Sequence, residues 1–207
     1  MPKTGVAPIR RGQVIDAVLH LLTTEGWESV TLRRVTEVSG ISAGAITHFL
    51  GSKDAMVAAA VTRAYRDYEA RMEAILDSDM DPPDRLASWI SDIISPATGG
   101  EWSLWVGLWG RAPFDARIRY ELGNVYKAHS RHLARLIDDG IASGHFREGD
   151  AGVAADQLIA MVDGLAMRVL LDTAACSFEY ARTVVDTFLG TSVLRDSRPS
   201  PSSSPQL

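Results

Sequence analysis

The sequence has a single cysteine, Cys176, in 207 residues. One cysteine excludes an internal disulfide framework and is typical of a protein that works in a reducing compartment. Long apolar runs are also missing: the most hydrophobic stretch, residues 151–171, is interrupted by charged and amide side chains, which predicts a buried or interface helix and no membrane span. The basic start of the chain precedes no apolar segment, so we expect no signal peptide and a cytoplasmic protein.

The sequence also lacks the sustained alternation of β-branched and polar residues that is typical of β-strands. Apolar residues instead recur at spacings of three and four, and glycine, proline or N-cap residues separate one such stretch from the next. These patterns predict an all-α fold. A long helix is expected from Ser52 to Leu76, and two strongly apolar helices, at about 151–173 and 178–194, are expected to end the fold.

Three parts follow from these patterns. Residues 1–51 are predicted to form a three-helix head, and residues 52–195 a larger helical body that begins with the long connecting helix. Residues 196–207 are rich in serine and proline and are predicted to be disordered. The net charge is −5, yet the first 55 residues hold six basic and five acidic side chains. A locally basic head on an acidic body suits a protein that contacts nucleic acid at one end.

Residues 31–54, TLRRVTEVSGISAGAITHFLGSKD, contain two short helices around a glycine turn. Thr31 and Ser42 are expected to cap these helices, and Gly40 lies between them. The second helix exposes small or polar residues, which let its backbone approach the bases and phosphates of a major groove about 12 Å wide. Five apolar residues are expected to hold the head together: Leu32, Val35, Val38, Ile41 and Ile46.

This segment resembles the helix-turn-helix of the tetracycline-repressor-like (TetR) family of transcriptional regulators. The resemblance implies a homodimer that binds double-stranded operator DNA and responds to a small-molecule effector. The residues it assigns to the operator are Ser42, Ala43, Gly44, Thr47 and His48. Phosphate contacts are assigned to Thr31, Arg33 and Lys53, with Arg10 and Arg11 as further candidates, whereas we interpret Arg34 as a solvated surface residue.

Within that family, Thr47-His48-Phe49 is similar to the Ser-His-Tyr of the choline-responsive betaine-pathway (BetI-like) repressors and departs from the tyrosine that many members have at position 47. Residues 101–109, EWSLWVGLW, and 158–172, LIAMVDGLAMRVLLD, are similar to the C-terminal domain of the same branch. The resemblance implies dimerisation through the last two helices. We expect an effector to shift the connecting helix and thereby change the distance between the two heads of the dimer.

Four tryptophans are candidate ligand-binding residues. Trp102, Trp105 and Trp109 are spaced by three and four, which places them on one side of a helix, and Trp89 lies on a neighbouring helix. Aromatic faces attract cations with about 0.5–2 kcal/mol each, and an acidic residue such as Asp163, Glu101 or Asp115 would add the opposite charge. The same spacing is typical of a hydrophobic core, so the sequence leaves pocket and core as alternatives.

Two other functions were weighed. His129 and His132 have the spacing of metal ligands on a helix, but the chain has no H-E-x-x-H, no G-x-S-x-G, no phosphate loop and no G-x-G-x-x-G. We therefore expect no enzyme, no metal site and no cofactor, and we interpret both histidines as surface or packing residues. A helical adaptor that binds a protein partner instead of DNA remains the alternative. Repression is the expected sign of regulation, and the sequence leaves the operator and the effector open.

Overall fold

The computed structural model describes residues 6–171 and 176–195. Within them the chain is helical, as predicted, and an isolated antiparallel bridge between Phe146 and Leu194 is the one β pairing. The helices are α1 (Val6–Thr24), α2 (Leu32–Ser39), α3 (Ala43–Leu50), α4 (Lys53–Leu76), α5 (Pro82–Ile93), α6 (Gly99–Arg111), α7 (Ala116–Ala142), α8 (Ala151–Leu170) and α9 (Phe178–Phe188).

The ends of the last two helices differ from the sequence prediction. Helix α9 stops at Phe188 and continues as a π-helical turn, Leu189–Val193, where we expected one helix to 194. The predicted end of α8 at 173 lies outside the described residues, and so does the predicted disordered tail, 196–207. No helix in the described part of the chain combines the length and the hydropathy that crossing a membrane requires.

The head, α1–α3, is built on one side of α1. Val14, Val18 and Leu21 of α1 are fully buried, together with Val35 of α2 and Ile46 of α3. The expectation that two further apolar residues of α2 belong to this core was wrong, since Leu32 is 38% and Val38 is 39% exposed. Both are three residues from Val35 and therefore point about 60° away from it around the helix.

The turn between α2 and α3 depends on Gly40. Its φ of 69° lies in the left-handed region, where only glycine is free of strain, and its N–H donates to Thr36 O at 3.0 Å to end α2. Thr31 caps α2 through its hydroxyl, which accepts from Arg34 N at 3.2 Å. Ser42 occupies the N-cap position of α3, but its side chain makes no capping hydrogen bond.

The core of the head extends into the body. It contains the start of α4, where Met56 and Val57 are buried, and also Leu104 and Leu108 of α6 and Leu122 of α7. Helix α6 is therefore anchored in the head although it lies about fifty residues beyond α3 in the sequence. The domain boundary at residue 51 stays a prediction, because the core of the head contains residues from both sides of it.

The body, α5–α9 with the second half of α4, encloses a separate core. Cys176 is buried in it, as expected for a packing residue. After α7 the chain folds back through Phe146, which is 1% exposed and lies against Gly140. A Cβ at position 140 would stand 2.1 Å from Phe146 Cδ2, so only glycine allows this ring to close the end of the helix.

Candidate nucleic-acid interface and enclosed cavity

The open face of α3 is the first candidate site. We use this name for Ser42, Ala43, Gly44, Thr47 and His48. All five are exposed, whereas the intervening Ile46 is fully buried. The helix thus separates the residues that hold it in the head from those assigned to the operator.

Gly44 lies in the middle of this face. A Cβ built there would meet no described atom within 4 Å, so nothing inside the protein requires glycine at this position. Thr47 donates its hydroxyl to Ala43 O at 3.0 Å, which holds the side chain close to its own helix. Because of both features, few side-chain atoms project from the open face of α3. A helix that enters a major groove needs such a surface, since its backbone must approach the bases closely.

The expected phosphate contacts flank the open face. Arg33 has 87% of its side chain exposed, and its Nε lies 2.9 Å from Glu37 Oε1. Arg34 is held between Glu25 and Glu37 at 2.5 and 2.8 Å, in keeping with its interpretation as a surface residue. Exposed ion pairs of this kind contribute about 0–1 kcal/mol each, so a phosphate can compete for the same arginines.

Lys53, the first residue of α4, belongs to a small charged cluster at the junction of head and body. Glu28 accepts a hydrogen bond from Arg111 at 2.6 Å, and its other oxygen lies 3.8 Å from Lys53 Nζ. The Arg111 guanidinium also stacks 4.1 Å from the Trp27 ring centroid. One exposed carboxylate therefore connects the last turn of α6 with a lysine that is assigned to DNA.

A partly enclosed cavity lies between α4, α5, α6, α7 and α8, and six aromatic rings contribute to its wall. The rings are Trp102, Trp105, Trp109, Tyr65, Tyr68 and Tyr126. The centre of a water-sized sphere can move through about 50 Å³ of this space. A single water needs roughly 10–15 Å³ by the same measure, so the cavity fits a compact molecule. The three tryptophans of α6 thus line a pocket.

Trp89, predicted as a fourth member of this group, lies outside the cavity wall. It is 1% exposed within the core of the body, and its Nε1 donates to Tyr68 Oη at 3.0 Å. The position of α5 places the indole behind Tyr68 instead of beside the other tryptophans. Its structural role is to hold the tyrosine that does line the cavity.

Asp163, predicted from the sequence as a ligand residue, lines the cavity and accepts a hydrogen bond from Tyr126 Oη at 2.5 Å. Burial raises the pKa of Asp163 to about 6, against the opposing effect of that hydrogen bond. The carboxyl group is therefore mostly ionised at neutral pH. Burial and the neighbouring carboxylate also raise the pKa of Tyr126, which remains a hydrogen-bond donor.

The other charged residues of the wall form one group around Arg71. Its Nε lies 3.0 Å from Asp92 Oδ2, and its Nη2 lies 3.1 Å from Glu101 Oε2. The wall thus holds one guanidinium and three carboxylates. Glu101 was a sequence candidate and is part of this group, whereas Asp115 lies outside this cavity and caps α7 through Arg117 N and Ile118 N.

His129 was interpreted as a surface or packing residue, and the structure places it in the cavity wall. Its ring meets Tyr68 edge to face, with centroids 4.0 Å apart. Burial, together with the nearby His132, lowers the pKa of His129 to about 4. In the sequence, the spacing of three residues between His129 and Tyr126, which places both on one side of α7, is the signal for this position. In the described residues, no group of three or more His, Cys, Asp or Glu side chains is placed to hold a metal ion.

Two family models match the chain. The model of bacterial regulatory proteins of the tetR family matches residues 14–60, which contain the open face of α3 and Lys53. The model of the C-terminal part of BetI-type transcriptional repressors matches residues 82–193, which contain most of the cavity wall. The second match alone covers more than half of the chain.

Curated relatives and solved structures agree with these matches. The regulators named BetI of Cronobacter sakazakii and Burkholderia ambifaria are each 28% identical, over 91% of this chain and 93% and 98% of their own length. A transcriptional regulator of Saccharomonospora viridis in complex with choline has a TM-score of 0.83 at 24% identity, over 89% of this chain and 97% of its own. A TetR regulator of Haloarcula marismortui has a TM-score of 0.79 at 18% identity, over 90% and 99%.

These matches distinguish between the three functions weighed from the sequence, a regulator, an enzyme and a helical adaptor. They favour a regulator over a helical adaptor, and they place the chain among transcription factors and not among enzymes. The chain belongs to the TetR family of bacterial transcriptional regulators, in its BetI-type branch.

Proposed function

We propose that this regulator is a homodimeric repressor that a small cationic amine releases from its operator by occupying the aromatic cavity. The observation that carries the proposal is the combination of rings and carboxylates in the wall. Trp102, Trp105 and Trp109 face the same small space as Asp163. A cation there gains attraction from ring faces and from a carboxylate in surroundings of low dielectric constant.

The charge balance of the wall also favours a cation over an anion. Arg71 is engaged with Asp92 and Glu101, so Asp163 is the carboxylate left for a ligand. A carboxylate ligand would meet three carboxylates and one guanidinium, which together carry a net negative charge. The choline bound to the Saccharomonospora viridis neighbour belongs to the class that these considerations favour, and its compact shape suits a cavity of this size.

DNA binding is assigned to the open face of α3, with Thr31, Arg33 and Lys53 as phosphate contacts. The support is the agreement between exposure and assignment: each of the five residues of the face is exposed, and Gly44 has open space where a side chain would stand. One head of this size reads few bases, so useful affinity requires two heads about 34–36 Å apart on the operator.

Dimerisation through α8 and α9 is supported by two uncharged stripes of exposed residues. On α8 they follow each other at spacings of four and three: Val153, Gln157, Ala160, Gly164, Met167 and Leu171. On α9 they are Tyr180, Thr183 and Thr187. Apolar or small residues in this repeat form the contact seam of paired helices, and charged residues are excluded from it.

The dimer is tested by Ala160→Arg, which places a charge in the centre of the α8 stripe. We expect a monomer by size-exclusion chromatography with light scattering, and loss of operator binding. Ala70→Arg on the exposed side of α4 is the matched control and should leave the dimer intact. An Ala160→Arg protein that stays dimeric would show that the interface lies elsewhere.

Helix α6 offers a route from the cavity to the head. It carries the three tryptophans of the cavity, and it also supplies Leu104 and Leu108 to the core of the head and Arg111 to Glu28. A ligand that displaces the rings therefore acts on the head through packing and through the charged cluster, in addition to any shift of α4. Such coupling requires that the ligand bind the two conformations with different affinities.

The function is tested by titrating the purified protein against its own upstream DNA, with and without millimolar choline chloride. We expect saturable, salt-sensitive binding that choline weakens and that equal sodium chloride leaves unchanged. If the protein binds neither this fragment nor pooled genomic DNA specifically, the proposal that it binds an operator through these residues is wrong. If choline and related quaternary amines leave operator binding unchanged, the proposal that a cationic amine is the effector is wrong.

A further inference from the structure

Three large apolar side chains are exposed at one end of the body. Phe114, in the loop between α6 and α7, is 91% exposed, Tyr120 is 68% and Leu171 is 67% exposed, the highest values for large apolar residues in the described part of the chain. We call these three residues the junction patch. Neither the open face of α3 nor the cavity wall includes any of them. Single exposed apolar residues are common, but a group of them marks a candidate interaction surface.

The pairing of α7 with α8 brings the patch to the end of the body that faces the head. Tyr126 donates a hydrogen bond to Asp163, and four residues further along α7 Ser130 donates to Asp156. The two helices are therefore antiparallel, and the start of α7 lies beside the end of α8. Tyr120 precedes Tyr126 by six residues, about 9 Å of helix, and is level with position 169. The first turns of α7 also pack against the core of the head.

The charged residues around the patch are balanced in sign. Asp115, Arg117, Arg119 and Glu121 are all exposed, and within the described residues none of them forms an ion pair. A contact around a two-fold axis brings a surface against its own copy, so equal numbers of both charges complement each other. A polyanion such as DNA attracts a surface with excess positive charge. The charge pattern therefore favours a second copy of this chain as the occupant.

The proposed seam on α8 and α9 needs additional surface. It consists of six exposed residues on α8 and three on α9, and five of these nine are glycine, alanine, threonine or glutamine. A stable specific interface takes about 20–30 residues from each partner. Leu171 is the last residue of the α8 stripe and also belongs to the junction patch, so the patch continues the seam toward the heads.

We propose that the junction patch is a second contact between the protomers, in which Phe114 of each chain packs against the other chain. This inference rests on the proposed dimer through α8 and α9. Aromatic residues are enriched in interfaces, where each ring removes about 150–250 Å² from water. Phe114 follows the end of α6 at Arg111 by three residues. The contact therefore connects the tryptophan-bearing helices of the two protomers close to their heads.

The test places the photoreactive residue p-benzoylphenylalanine at position 114 of the full chain and irradiates the purified protein. We expect a covalent dimer on a denaturing gel, because the reactive ring lies against the partner chain. The same residue at position 80, which carries an exposed methionine in the turn before α5, is the matched control and should give monomer. Adding Ala160→Arg to the position-114 protein should abolish the covalent dimer.

Four results would overturn the inference. A protein that is dimeric by light scattering but gives no covalent dimer from position 114 would exclude this contact and leave the seam on α8 and α9 standing. Covalent dimer that persists with Ala160→Arg in a monomeric protein would show chance collision. Cross-linking to an added operator fragment in place of the partner chain would assign the patch to DNA. An unmodified protein that is monomeric would overturn the dimer and the inference together.

Phe114→Asp gives a second measurement that needs no cross-linking. Because the side chain is exposed in the protomer, we expect the fold to survive, with an unchanged helical circular dichroism spectrum. The dissociation constant of the dimer should rise about tenfold or more by analytical ultracentrifugation, since the two-fold axis introduces the charge twice. Met80→Asp should leave that constant unchanged. A constant for Phe114→Asp within twofold of the unmodified protein would contradict the inference.

Discussion

Helix α3 and helix α6 carry the two proposed binding surfaces, and they use opposite kinds of side chain. Helix α3 offers small, exposed residues around Gly44, and its large apolar residues face inward. Helix α6 offers three tryptophans that are enclosed by neighbouring helices. A surface that enters a DNA groove depends on side chains being absent, whereas a pocket for a small cation depends on rings contributed from several directions.

Adding bulk to the open face should produce the largest effect. Gly44→Leu is expected to weaken operator binding on the order of 100-fold, because it blocks close approach and several contacts worth about 1–3 kcal/mol each are lost together. The melting temperature should not fall, since the position has open space. The measurement is fluorescence anisotropy on a labelled operator fragment.

The control for this prediction is Gly107→Leu, the same change at an exposed glycine of α6 that also has open space around it. It should bind the operator as the unmodified protein does. Wild-type affinity in Gly44→Leu would mean that α3 does not face the groove, and the contrast between the two helices would fail.

The acidic side of the cavity gives the next prediction, a dependence of effector binding on pH. Burial raises the pKa of Asp163 to about 6, so the carboxylate that we propose as the cation's partner becomes protonated as the pH falls through 6. Choline affinity should therefore be nearly constant above pH 7 and about tenfold lower at pH 5 than at pH 8. Over this range His129 stays neutral, because its pKa is about 4.

Asp163→Asn sharpens that prediction, since the amide does not titrate. Its choline affinity should be low and flat between pH 5 and pH 8, as measured by tryptophan fluorescence. A variant that keeps the slope of the unmodified protein would show that Asp163 is not the group that titrates.

Lys53→Ala tests the electrostatic side of DNA binding. We expect a severalfold loss of affinity at moderate salt, and a slope of log affinity against log salt that is smaller by about 2 per dimer, because two phosphate contacts disappear. Lys127→Ala, an exposed lysine of α7, should leave both quantities unchanged. An unaltered slope in Lys53→Ala would remove this lysine from the interface.

Arg111→Ala should have the smallest effect, and only on the coupling between the two regions. The exposed pair with Glu28 is worth about 0.2–1 kcal/mol, so the factor by which choline weakens operator binding should shrink by no more than about fivefold. Choline affinity in the absence of DNA should stay unchanged. Arg135→Ala, which removes an exposed ion pair with Asp77 in the body, is the control and should preserve the coupling.

The contrast between α3 and α6 also explains which features of the protein could be predicted from the sequence. The open face of α3 consists of nearby residues on one helix, so the caps and small residues of residues 31–54, together with the family resemblance, were enough to predict that these side chains are exposed. The exposure of Leu32 and Val38 could not be predicted in this way, because it depends on how α1 and α3 pack against α2. The cavity in the body is harder to predict, because the residues of its wall come from helices that are distant from one another in the sequence.

Two residues illustrate this limit. The spacing of the tryptophans on α6 is visible in the sequence, but the place of Trp89 outside the cavity wall is not, because the rotation of α5 relative to α4 is set by packing, which local pattern does not encode. The place of His129 in the cavity wall could not be predicted from the sequence, because its spacing from Tyr126 has meaning only once α4 and α8 are known to lie beside α7.

The small volume of the cavity limits how strongly a ligand bound there could act on the regulator. A ligand of about seven non-hydrogen atoms has a ceiling near 10 kcal/mol of binding free energy at the best known efficiency, and ordinary efficiencies correspond to much weaker binding. Driving a conformational equilibrium from 1:99 to 99:1 takes about 5.5 kcal/mol of difference between the two states. A sensor with this cavity is therefore suited to reporting the level of an abundant metabolite in a graded manner, and poorly suited to detecting traces of a signal.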